Sequence, residues 1–118
     1  MTILTRDTIL GAKDWQYDTF EVPQWGGSVR IRALSAGERL QLSKEAGGAD
    51  LVGDEAFRFF IRVIAMSVVD AAGELIFDLD RDYQALLTRD WDTLKMVANR
   101  IMQFNGMGKD AEQELEKN

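Results

Sequence analysis

Asp78, Asp80 and Asp82 stand at alternate positions, the spacing at which a calcium loop offers its first carboxylates. Such a loop also needs glycine at its sixth position and a bidentate glutamate at its twelfth. Those positions here hold Tyr83 and Arg89, so the cluster reads as a helix start. Asp78 or Asp80 caps a short helix from Arg81 to Leu87, and the remaining carboxylates favour its positive N-terminal end. The chain contains no Cys and no His. That excludes a disulfide framework, a Cys/His zinc site, a cysteine nucleophile and a Ser-His-Asp triad. Gly26-Gly27 is not followed by the Gly-Lys-Ser/Thr of a phosphate loop. The other carboxylates and lysines fall into no constellation of base, nucleophile and metal. The sequence therefore predicts a non-catalytic protein with no cofactor and no metal.

The chemistry that remains is recognition. Trp25, Arg30 and Arg32 are of the types enriched at interface hot spots. Two readings of Trp25 stand: it folds over a hairpin as core, or it lies exposed beside the two arginines. The stretch that carries them is locally well specified. Trp15 to Val22 is rich in aromatic and β-branched residues and reads as a strand, and Pro23 suits a strand end better than its middle. Gly26-Gly27 supplies the positive φ of a tight reversal. Val29 and Ile31 then alternate with Arg30 and Arg32, giving a strand with one buried face. Phe20 and Val22 would pair with them across the turn, forming a β-hairpin that must lie on helices to be stable.

Helices follow. Ser35 and Glu38 have the spacing of a capping box, opening a helix from Ala36 to Ala46 that Gly47-Gly48 stops. Leu40 is its first candidate for an inward residue and Leu42 its second. Gly47 to Gly53 reads as a hinge, and Asp54 as the cap of a helix from Glu55 to Val68. On that helix Phe57, Phe60, Ile61, Ile64 and Val68 form one apolar stripe, and Phe59, Val63 and Met66 a second. Either later elements cover both stripes, or the second is partly exposed and serves a partner or self-association. Asp70 to Gly73 is a turn, and Glu74 to Phe77 a short extended piece. Asp90 caps an amphipathic helix from Trp91 to Phe104 that Asn105-Gly106 ends.

These elements predict an α+β fold, an N-terminal β-hairpin packed on about four helices in a single small domain. Residues 1–14 read as a flexible arm that is frayed or orders on a partner, 15–108 as the α+β domain, and 109–118 as a fraying charged tail. At 118 residues and 46% hydrophobic composition the chain can bury a modest core. A net charge of −6 argues against nucleic acid. No apolar run approaches the roughly 20 residues of a membrane span. No basic segment leads into an apolar core at the N-terminus, so the expected localisation is cytoplasmic.

The run from Val22-Pro23-Gln24-Trp25-Gly26-Gly27 through Val29-Arg30-Ile31-Arg32, Leu34-Ser35 and Glu38-Arg39 resembles the opening of tail assembly chaperones from long-tailed bacteriophages. The likeness continues in Ile64 to Asp70 and Gly73 to Phe77, passes Asn105-Gly106 and ends in Glu116-Lys117-Asn118, covering residues 17 to 118. The resemblance implies a protein that binds the tape measure protein in the host cytoplasm, keeps it soluble, assists polymerisation of the tail tube protein and is missing from the finished virion. It also implies that this chain is the shorter of two forms, the longer being made by ribosomal frameshifting. It brings no catalytic residues. Trp25, Arg30, Arg32, Phe59, Val63 and Met66 are the partner-binding candidates. Two other classes stand beside it: a structural head–tail connector or tail-terminator subunit, and an acidic regulator whose binding to a basic partner would weaken with salt.

Overall fold

A computed structural model describes residues 2–46 and 53–107. Its elements are α1 (Arg6–Leu10), β1 (Tyr17–Val22), β2 (Gly27–Arg32), α2 (Ala36–Ala46), α3 (Asp54–Ser67), β3 (Val68–Val69), α4 (Leu79–Leu86) and α5 (Trp91–Phe104). The predicted glycine stop after α2, most of the hinge that follows it, and the tail at 109–118 lie outside the described residues.

The hairpin forms, with β1 starting at Tyr17, but of the expected pairings only Phe20 opposite Val29 occurs: Val22 lies opposite Gly27, and Ile31 opposite Asp18. A 3₁₀ turn at Pro23–Trp25 joins its strands. Gly26 closes the turn at φ 78° and donates to the Pro23 carbonyl at 3.0 Å, whereas Gly27 is already the first residue of β2. The sheet has a third strand that the sequence reading misses. α3 stops at Ser67, one residue short of its predicted end, and Val68 and Val69 pair with Ile31 and Arg30. Two successive β-branched residues favour the change to extended backbone. The Ser67 hydroxyl fixes the junction by donating to the Arg32 carbonyl at 2.7 Å. The extended piece after the Asp70 turn bridges Val69 through Leu75, widening the antiparallel β1-β2-β3 sheet.

Helix boundaries follow local chemistry. At α2 the Glu38 N–H donates to Ser35 Oγ at 3.1 Å, and the Ser35 N–H donates to Glu38 Oε1 at 2.8 Å, a complete capping box. Asp78 caps α4 by accepting from the Arg81 N–H, and Asp90 caps α5 by accepting from the Thr93 N–H. Asp54 is a correction. Gly53 occupies the cap position of α3, at φ 62° and without a side-chain bond, and Asp54 is the first helical residue. Its charge still suits the helix start. α5 ends in a Schellman motif, in which Met107 N–H bonds the Met102 carbonyl and Gly106 N–H, at φ 70°, bonds that of Gln103. Asn105 bridges distant segments here, accepting from the Leu34 N–H and donating to the Ile101 carbonyl, both at 2.8 Å.

α3 lies at the centre, packed chiefly on α5 and also on α2 and α4. The core joins Phe20, Val22 and Ile31 from the sheet to Leu42, Ile61, Val63, Ile64, Leu94, Val97 and Ile101 from the helices. Each such side chain contributes about 1.5–3 kcal/mol when fully buried. On α2 the inward residue is Leu42, which is fully buried, while Leu40 is 57% exposed. The two α3 stripes are largely covered from both sides. Val63 is fully buried, Phe59 and Met66 are half-buried against the core, and Phe57 and Phe60 meet the Trp91 ring edge-on at 4.4 and 5.4 Å.

Candidate protein-interaction site

Strand alternation sends Tyr17, Arg30 and Arg32 to the sheet face opposite the core. There the side chains interleave. The Arg30 guanidinium lies 4.3 Å from the centroid of the Tyr17 ring, and that of Arg32 lies 4.6 Å from that of Trp15. Each such cation–π contact is worth about 0.5–1 kcal/mol at an exposed site. Both arginines have further partners. Arg30 donates to the Ala71 carbonyl at 2.6 Å and so holds the Asp70 turn to the sheet. Within that turn the Asp70 carboxylate accepts from the Ala72 and Glu74 N–H groups, and Gly73, at φ 88°, lies against the Tyr17 ring.

Arg32 donates to both Glu38 oxygens, at 3.2 and 2.8 Å. Partial burial alone would raise the Glu38 carboxyl pKa. The Arg32 guanidinium and the Ser35 N–H and hydroxyl outweigh that effect and hold it below its ordinary value. Beside these residues Lys13, Trp15, Tyr17, Glu38 and Leu75 line an open groove of about 650 Å³. Trp15 and Tyr17 are 44% and 39% exposed.

Trp25 belongs to a different place. Pro23 and the left-handed Gly26 fix the turn that carries it, and its ring is half-buried against the core. With Phe77, Leu86 and Arg89 it lines a groove of about 600 Å³ at the end of α4. The three residues that the sequence groups are therefore divided. Arg30 and Arg32 belong to the outer-face ladder with Tyr17 and Trp15, and Trp25 faces Phe77 and α4. Phe59 lines a third, smaller depression of about 330 Å³ with Glu45, Glu55, Arg58 and Arg62, where Arg62 pairs with Glu45 at 3.2 Å. Val63 presents no surface.

Sequence reasoning missed Trp15, Tyr17, Phe77 and Arg89. The first two were within reach: continuing the hairpin register one step past Tyr17 and Arg32 brings Gln16 opposite Ala33, whose N–H donates to the Gln16 carbonyl at 2.8 Å. No local signal announces the groove at Trp25, because its walls come from three separated segments. Among the described residues no group of three or more Asp or Glu side chains is placed to hold a metal ion. No described helix is long and apolar enough to cross a membrane. What these surfaces offer is aromatic and aliphatic area edged by guanidinium groups, suited to apolar side chains and carboxylates.

No family model matches the chain, and no curated protein sequence does. Among solved structures the fold is similar to that of the bacteriophage HK97 tail assembly chaperone, with a TM-score of 0.54 and 17% sequence identity. The likeness covers 84% of this chain and 88% of that one. At this identity it is a likeness of fold.

Proposed function

We propose that this chain is a non-catalytic tail assembly chaperone of a long-tailed bacteriophage, which binds the tape measure protein and keeps it soluble while tail tube protein assembles around it. The observation that carries the reading is the fold likeness over most of both chains, to a protein described as a tail assembly chaperone. It is joined by the sequence resemblance from Val22 to Arg39 and from Ile64 to Phe77. The mechanism is reversible shielding: apolar surface of this small protein covers apolar stripes of a helical partner until tube subunits displace it. Displacement favours contacts that are weak singly and multiplied over many copies. On this reading the protein works in the cytoplasm of the infected host and is absent from the virion.

Light scattering on the purified protein, alone and co-expressed with the cognate tape measure protein, tests the reading. A soluble complex of both chains is expected. A tape measure protein that remains insoluble beside abundant soluble chain would overturn the proposal, as would recovery of the chain from purified virions by mass spectrometry.

A further inference from the structure

The groove at Trp25 has a built form. Three segments make its walls: the 3₁₀ turn with Gln24 and Trp25, the extended piece with Phe77, and the end of α4 with Ala85, Leu86 and Arg89. Leu86 is buried, and Trp25 and Phe77 are half-buried against the core, so the walls are held by packing. At about 600 Å³ the volume lies in the range of about 300–1,000 Å³ usual for ligand sites.

Its polar groups point to the kind of occupant. Asp82 lines the groove, but its carboxylate is engaged, with the Arg81 guanidinium and the Asp78 N–H each donating to Oδ2 at 2.8 Å. Carbonyls at the end of α4 are taken up as well: the Tyr83 oxygen by Leu87 N–H, that of Ala85 by Thr88 N–H and hydroxyl, and that of Leu86 by Arg89 N–H. Arg89 is exposed, and its guanidinium has no ion pair among the described residues. The uncompensated charge of this groove is thus positive, in a chain of net charge −6.

We propose that this groove takes the apolar stripe of a partner helix that carries a carboxylate within one turn of its anchoring side chain. The anchor packs between Trp25, Phe77 and Leu86, in the manner of a helix laid in a groove. The carboxylate meets the Arg89 guanidinium, whose planar fork matches it. A lysine at the same place would face Arg89 and find Asp82 already occupied. The proposal rests on the chaperone reading only for the partner's identity; the groove's preference is a property of this chain alone.

The test uses the full-length, ¹⁵N-labelled protein and two synthetic amphipathic helical peptides, identical except for Glu or Gln one turn from a central Leu. Titration is followed at the Trp25 indole N–H and the Arg89 Nε–H. Both peptides are expected to shift the Trp25 signal, and the Glu peptide to bind about fivefold tighter at low salt. Arg89→Gln, at an exposed position, is expected to leave the fold intact and erase that difference. Equal affinities in the parent protein, shifts centred on Trp15 and Tyr17, or no binding of either peptide would each overturn the proposal. Peptide binding beside an insoluble tape measure protein would sink the chaperone reading and leave the groove standing. A soluble tape measure complex with no peptide preference would do the reverse.

Discussion

Glu38 serves two structures with one carboxylate, the start of α2 through Ser35 and the outer-face ladder through Arg32. Its folded pKa lies below its ordinary value. The ionised group therefore contributes stability above its unfolded pKa of about 4.3, and that contribution is lost as pH falls through the folded value. Glu38→Gln is expected to cost on the order of 1 kcal/mol at neutral pH. Urea denaturation at a series of pH values should show the gap to the parent narrowing through the acid range; a gap independent of pH would remove the charge from the account. Gly73 is a second test. A Cβ there would come 3.0 Å from the Tyr17 hydroxyl oxygen and 3.5 Å from the ring carbon behind it, on a backbone at φ 88°. Gly73→Ala should cost at least about 1–2 kcal/mol from the left-handed backbone alone. In a Tyr17→Phe background the penalty should shrink without vanishing, since the nearest atom is gone and the backbone strain stays. A double-mutant cycle with no coupling would contradict this packing.

Local chemistry made the starts of α2, α4 and α5 readable in advance, and tertiary contacts decided much of what was not. Ser35 with Glu38, Asp78, Asp90 and the Asn105-Gly106 stop depend on groups within a few residues of one another, so their spacing sufficed. Leu40 and Leu42 differ. Two residues apart on a helix they point about 200° apart, so one faces solvent, and only the position of α3 selects which. Leu42→Ala is accordingly expected to cost about 2–5 kcal/mol and Leu40→Ala no more than about 0.5 kcal/mol, as measured by chemical denaturation. Similar losses in the two would refute the packing of α2. β3 was hidden for a related reason. Val68 continues the apolar stripe of α3 in sequence, and nothing local says that β2 offers it a partner. The interaction candidates split along the same line: the alternation of Arg30 and Arg32 was legible, whereas the meeting of Trp25 with Phe77 and Arg89 joins segments more than fifty residues apart in sequence.

At the scale of the whole molecule the N-terminal arm stands apart. α1 buries nothing, and Ile3, Leu4, Ile9 and Leu10 are 90%, 60%, 57% and 67% exposed. Removing residues 2–12 is expected to change stability by no more than about 0.5 kcal/mol, while retention on a hydrophobic column falls. A marked loss of stability would mean that the arm docks on the body. α3 passes into β3 without an intervening residue, and Val68 belongs to both networks: its N–H closes the last bond of the helix, to Ile64, and its carbonyl accepts from the Ile76 N–H. A single residue, through its two adjoining peptide units, is thus shared between two hydrogen-bond systems, so opening one disturbs the other. Native-state hydrogen exchange should report the amides of Val68 and Ile76 with the same opening free energy, as one cooperative unit. A load applied to β3 would pass straight into the central helix, because no loop lies between the strand and α3 to take up slack.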